Sequence, residues 1–366
     1  MGKTVDLSTE ILSLDSKLAF ESLSEREKLY AYHLYQASNV SLPIVVIQRS
    51  VESMSIIKLF SRFFEHILNQ QTLTDGSTNN LTDIPLELLV YVCQLFSCCG
   101  NYNPFGKYKF IPDVGQQQME SILSATSIWS ELEPLWLSVK DQMYSYEPQD
   151  RQLDFSPDGK SSYYSPGMTK DKAQSISFDM SPYNTRLFEV ANDDNSSQLE
   201  LHIASVDIKQ QVLPNGLKLC YGDYSQYLTK VVHHLSLAKQ YSNELEAKML
   251  DKYIEAFTTG NTQAHVEGSK LWVQNVGPVV ETYIGFIESY QDPLGTRGEW
   301  EGFVAIVNKD TSQKYATLVN QAQQFISLLP WPREYEKDTF LSPDFTSLEV
   351  VTFGTSIIPS GINIPN

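Results

Sequence analysis

A mixed α+β chain is predicted, on three observations. Apolar residues recur at helical spacing behind a capping box near the N-terminus, L-E-L-H-I-A-S-V at 199–206 alternates like a strand, and two β-branched and aromatic runs at 279–307 flank a Pro/Gly turn. At 366 residues the chain exceeds the roughly 250–300 residues at which a single core stops growing, so at least two lobes are expected.

In chain order, Ser24 and Glu27 form a capping box ahead of K-L-Y-A-Y-H-L-Y-Q, where Leu29, Tyr30, His33 and Leu34 mark one helical face. On that face His33 reads as a packed core histidine. Further helices are predicted at 51–70, at 84–98 with Pro85 at the start, and at 115–144, with G-N-Y-N-P-F-G-K-Y-K-F-I-P at 100–112 as a punctuated loop. Polar stretches at 147–167 and 191–198 read as surface loops, and 227–241 returns to helical spacing.

In V-V-E-T-Y-I-G-F-I-E-S-Y, 279–290, strict alternation puts Thr282, Ile284, Phe286, Glu288 and Tyr290 on one strand face, a carboxylate beside a phenol. D-P-L-G, 292–295, suits a tight turn, and G-E-W-E-G-F-V-A-I-V, 298–307, returns as the second strand. Asp310 or Thr311 caps a predicted helix with an apolar stripe from Tyr315 to Leu329, ended by Pro330. A last strand is expected at 348–353, after which the chain looks cut short.

The net charge of −17 disfavours a nucleic-acid partner, whose affinity comes largely from Lys and Arg. No apolar run nears the ~18–20 residues of a membrane helix, and the N-terminus lacks a signal pattern, so a soluble, cytoplasmic protein with no membrane partner is expected. Cys93, Cys98, Cys99 and Cys220 read as reduced, buried thiols.

Between 284 and 303 the chain collects four carboxylates, four aromatics and four glycines, a composition suited to a cleft wall, without a His or Cys to act as catalyst. Elsewhere His33, His66, His202, His233, His234 and His265 show no zinc spacing, and no G-x-S-x-G, P-loop or G-x-G-x-x-G occurs. Glu299 and Glu301 share a strand face and could serve glycoside chemistry, though such alternation usually marks a solvated face.

The segment W-V-Q-N-V-G-P-V-V-E-T-Y-I-G-F-I-E-S-Y-Q-D-P-L-G-T-R-G-E-W-E-G-F-V-A-I-V-N-K, 272–309, resembles the dipeptidyl peptidase III family of zinc peptidases. So do E-R-E-K-L-Y-A-Y-H-L at 25–34, the loop at 100–112, Y-N-T-R-L-F at 183–188, F-L-S-P-D-F-T-S-L-E-V-V-T-F at 340–353 and the final S-G-I-N-I-P-N. The resemblance covers nearly the whole chain but about the first half of the family's polypeptide. The family's H-E-x-x-G-H and E-E-x-R-A-E metal motifs do not occur here.

The resemblance implies a substrate-binding role: Glu288 for a peptide's N-terminal ammonium, Tyr290 as hydrogen-bond donor to the scissile carbonyl, Asn363 and Asn366 for the substrate's N-terminal end. It implies a lower lobe with a small β-barrel surrounded by helices, from residues 1–308 and 347–366, and a helical excursion at 309–346 into a second, helical lobe. The expected protein is a monomeric, zinc-dependent dipeptidyl peptidase acting on short peptides with a free N-terminus, represented by a half that is inactive alone and holds no ligands for the zinc. A naturally short, non-catalytic peptide-binding or scaffold protein is the alternative.

Overall fold

The computed structural model describes residues 4–8, 13–73, 84–192, 196–339 and 346–356. Its N-terminal helices are α1 (Lys17–Glu21), α2 (Glu25–Arg49), α3 (Ser53–Leu73), α4 (Leu86–Ser97), α5 (Gln116–Ser124), α6 (Trp129–Tyr144) and α7 (Lys170–Ser175). A mixed region follows, with β1 (Thr185–Ala191), β2 (Ser197–Ala204), β3 (Gln210–Val212), β4 (Lys218–Asp223), α8 (Ser225–Ala238), α9 (Glu244–Thr259) and α10 (Thr262–Gln274). The chain then forms β5 (Val280–Glu288), β6 (Glu299–Val307), α11 (Lys309–Asn320), α12 (Ala322–Phe325) and β7 (Leu348–Gly354). The α+β class is as the sequence predicts.

The strands form two sheets, ordered β1-β2-β4-β3 and β5-β6-β7. Among the described residues neither closes on itself, so the implied barrel is not seen there. In the first sheet β2 and β4 pair in parallel and the other neighbours antiparallel. The second is antiparallel throughout.

The capping box forms: the Ser24 amide donates to the Glu27 carboxylate at 2.8 Å and the Glu27 amide to the Ser24 hydroxyl at 3.4 Å. From that start α2 buries Tyr30, Leu34, Ile44 and Val45 against α8, α9 and one face of the second sheet, the face that carries Ile284, Trp300, Val304 and Ile306. His33 is only half-buried, stacked between Tyr241 and His234. A second core joins α3 to α6 around Phe60, Phe63, Tyr91 and Trp136. No described helix is long and apolar enough to cross a membrane.

Three expectations are corrected. The segment 115–144 is two helices, because the chain turns at 125–128, where the Thr126 hydroxyl donates to the Leu123 carbonyl at 2.7 Å and ends α5. The helix after the hairpin is capped by Asn308, whose side chain accepts the Thr311 amide at 3.0 Å, and it breaks at Gln321 instead of running to Leu329. Cys93 is exposed, while Cys98, Cys99 and Cys220 are buried; all four are free thiols.

Candidate functional site

The 284–303 segment folds as an antiparallel hairpin, β5 on β6, joined by the predicted turn: the Gly295 amide donates to the Asp292 carbonyl at 2.9 Å. Asp292 organises this turn, its buried carboxylate accepting from the amides of Leu294, Thr296 and Arg297 at 2.9–3.0 Å and from the Tyr164 hydroxyl at 2.7 Å. Arg297 closes the group, donating to that hydroxyl at 2.7 Å with its guanidinium over the Tyr164 ring. A loop so bonded holds what precedes and follows it in fixed positions.

Helix α2 fixes the returning strand with polar side chains that would otherwise cost free energy to bury. Ser38 donates to the Gly302 carbonyl at 2.7 Å, and Gln48 both donates to the Gly298 carbonyl at 2.9 Å and accepts the Trp300 amide at 2.7 Å. Arg49, buried at the end of the same helix, donates to the Cys98 carbonyl at 3.2 Å, to Gln291 Oε1 at 2.5 Å and to Glu299 Oε1 at 3.5 Å. The packing leaves no room for a side chain at position 100, where a Cβ would fall 2.5 Å from Arg49 Cγ.

Strict alternation fails near the end of β5. The pairing shifts between Phe286 and Glu288, so Phe286 opposes Trp300 while Glu288 opposes Glu299. Such a bulge turns Glu288 from the core face of Thr282, Ile284 and Phe286 to the face of Tyr283, Glu299 and Glu301. Upstream, Gly285 sits at φ +148° with a built Cβ only 2.3 Å from His265 Nε2. His265 needs that space because its ring hydrogen-bonds the Ile284 carbonyl at 2.9 Å and stacks on Tyr253.

Glu288 and Tyr290 are both exposed, and they sit together. The phenol is within hydrogen-bonding reach of the Glu288 carboxylate, whose charge pushes the Tyr290 pKa up. Asn363 and Asn366 lie outside the described residues. Phe105, 68 % exposed, belongs to the 100–112 loop, which Gln291 ties to the hairpin by donating to the Pro104 carbonyl at 3.3 Å.

Glu299 and Glu301 are not a solvated face: they are 4 % and 7 % exposed. Burial raises the Glu299 pKa against the pull of the Arg49 charge. Burial, with the charge of Glu299 behind it, pushes the Glu301 carboxyl up to about 8, although the Tyr283 hydroxyl beside it works the other way. Glu301 is thus mostly protonated at neutral pH, and of the three carboxyl groups Glu288 is the exposed one.

A testable consequence follows from linkage. The ordinary Glu pKa is 4.5 and the folded one about 8, so between those values the folded chain holds a proton that the unfolded chain has lost. Stability therefore falls as pH rises through that window. Glu301→Gln should flatten this decline in urea midpoints compared at pH 5, 7 and 9, leaving only what Glu299 contributes in the same direction. An undiminished decline in the variant would put the proton elsewhere.

Comparison with known proteins bears on what this arrangement serves. Residues 135–366 match the model of peptidase family M49. Dipeptidyl peptidase 3 of Rattus norvegicus is 41 % identical over 97 % of this chain, that of Homo sapiens 40 % over 97 % and that of Dictyostelium discoideum 39 % over 97 %. The chain spans about half the length of these curated relatives, 52 % in each case. A solved structure of DPP III from Caldithrix abyssi superposes over 94 % of this chain and 52 % of its own, with a TM-score of 0.57 at 17 % identity, a likeness of fold.

Proposed function

This chain belongs to peptidase family M49, and from that membership we propose that it forms the peptide-gripping part of a dipeptidyl peptidase, an enzyme that releases dipeptides from the N-termini of short peptides. The carrying observation is the exposed Glu288 carboxylate beside the exposed Tyr290 phenol on a hairpin held by buried polar bonds. In this reading Glu288 takes the peptide's ammonium through charge-assisted hydrogen bonds. Tyr290 donates to the scissile carbonyl oxygen as charge develops there, a contribution of the kind worth about 3–4 kcal/mol in an oxyanion hole. Asn363 and Asn366 are proposed to hold the same end of the substrate.

Membership implies a metal, and zinc is the one expected of the full-length relatives, where it would polarise the scissile carbonyl. Among the described residues the grouping of three potential metal ligands is Glu200, His202 and Cys220. It sits on β2 and β4 of the four-stranded sheet, whereas Glu288 and Tyr290 belong to the β5–β6 hairpin of the other sheet. No step is assigned to that trio, and the chain is proposed to bind peptide without hydrolysing it alone. The proposed lobes are residues 1–308 and 347–366 around the sheets, with 309–346 reaching into a helical lobe; α11, which buries none of its residues, supports this.

Calorimetry with a free tetrapeptide and its N-acetylated form tests the reading. The free peptide should bind and the acetylated one should lose most of its affinity, because acetylation removes the positive charge that Glu288 recognises. Equal binding of both would refute ammonium recognition.

A further inference from the structure

The four-stranded sheet holds a second group of reactive side chains, assembled from none of the residues to which the family resemblance assigns a role. His202 on β2 lies directly opposite Cys220 on β4, and Glu200, two positions before His202, shares its face. One ligand atom from each, the imidazole nitrogen, a carboxylate oxygen and the thiol sulfur, lies within 4.8 Å of the other two.

We propose that Glu200, His202 and Cys220 form a binding site for a thiophilic divalent cation, zinc being the natural occupant. Tetrahedral zinc takes N and O donors at about 2.0–2.2 Å and S at about 2.3 Å, which sets the donors roughly 3.3–3.8 Å apart. Closing the trio onto an ion thus requires side-chain movement of about 1 Å, within what small χ adjustments supply. The fourth position is left to water, since Glu200 and His202 are only part-buried.

The neighbours prepare the ligands. Lys218 donates to Glu200 Oε1 at 2.8 Å, which leaves Oε2, 2.9 Å from His202 Nε2, as the oxygen turned toward the site. The Phe188 ring meets His202 edge-on, centroids 4.9 Å apart, and fixes the imidazole plane. Two cations stand nearby, but Lys218 is bound to Glu200, and Arg186 is engaged with Asp223 at 2.7–2.8 Å. A zinc ion with one carboxylate and one thiolate makes a neutral unit, which the partly buried sheet face accommodates better than a bare charge.

Binding forms an Sγ–metal bond and sends the thiol proton to solvent, while the imidazole binds through an unprotonated Nε2, its proton on Nδ1. Because the thiol proton leaves on binding, affinity should rise with pH.

Cobalt titration of the purified 366-residue chain tests this, because a thiolate bound to Co²⁺ gives a near-ultraviolet charge-transfer band. The expected result is that band saturating at one equivalent, displacement by Zn²⁺, and ligand-field bands of a tetrahedral site. Cys220→Ser should abolish the charge-transfer band. Glu200→Gln or His202→Gln should lower affinity by more than the roughly 10- to 100-fold lost when only a ligand's hydrogen-bond partner is removed, and Cys93→Ser should change nothing. Circular dichroism confirms that each variant is folded, and Glu200→Gln carries the test if Cys220→Ser is not. No thiolate band in the unaltered chain, or unchanged affinity in folded Cys220→Ser and Glu200→Gln variants, would overturn the site.

Discussion

Arg49→Ala is expected to destabilise the chain by about 3–5 kcal/mol, the usual cost of removing one partner from a buried charge pair. Glu299, 4 % exposed, would lose its cation, and Gln291 and the Cys98 carbonyl would lose a donor. The damage should concentrate in the hairpin, because two of the three bonds end on Gln291 and Glu299, one on each side of its turn. Urea unfolding measures the loss, and a double-mutant cycle with Glu299→Gln apportions it. In the Arg49→Ala background the second change should cost little or even restore stability, because a neutral amide no longer needs the guanidinium. A single-variant loss below about 1 kcal/mol would mean that Glu299 finds another partner or stays neutral without Arg49.

Glu288→Gln should leave the fold intact and weaken binding of free-amino peptides by about 2–3 kcal/mol, a 30- to 150-fold rise in Kd. Stability should hold because the carboxylate is exposed and its described close neighbour is Tyr290. The same substitution supplies an internal check. With the Glu288 charge gone, the Tyr290 phenol should titrate at lower pH than in the unaltered chain, which ultraviolet difference spectra can follow. Unaltered peptide affinity in a variant with a shifted Tyr290 titration would separate the pair's proximity, which would stand, from its role in recognition, which would fall.

Much of this architecture can be read directly from residue order. Period-2 runs around D-P-L-G predict the hairpin, and Ser24 with Glu27 predicts the start of α2, since both signals are local. The bulge before Glu288 is not local: the space at Gly285 and the His265 contact that fills it depend on a helix some twenty residues upstream. Likewise, Glu299 and Glu301 look solvated because the alternation of charge does not reveal that Arg49 and Tyr283 will cover them. Helix α9 did leave a readable signal, a capping box of Asn243 and Glu246 ahead of Met249, Leu250, Tyr253 and Phe257, with Gly260 in the left-handed region at its end. Asn363 and Asn366 lie outside the described residues, and resemblance alone speaks for them.

Arg49 and Glu299 are 250 positions apart in the chain. During synthesis at roughly 5–20 residues per second, the guanidinium emerges some 10–50 s before its carboxylate exists. Over that interval the end of α2 has no counter-ion to settle against and keeps its charge in water. The β5–β6 hairpin therefore belongs to the late, slow-closing part of folding, where long loops must be drawn together before their contacts return any free energy.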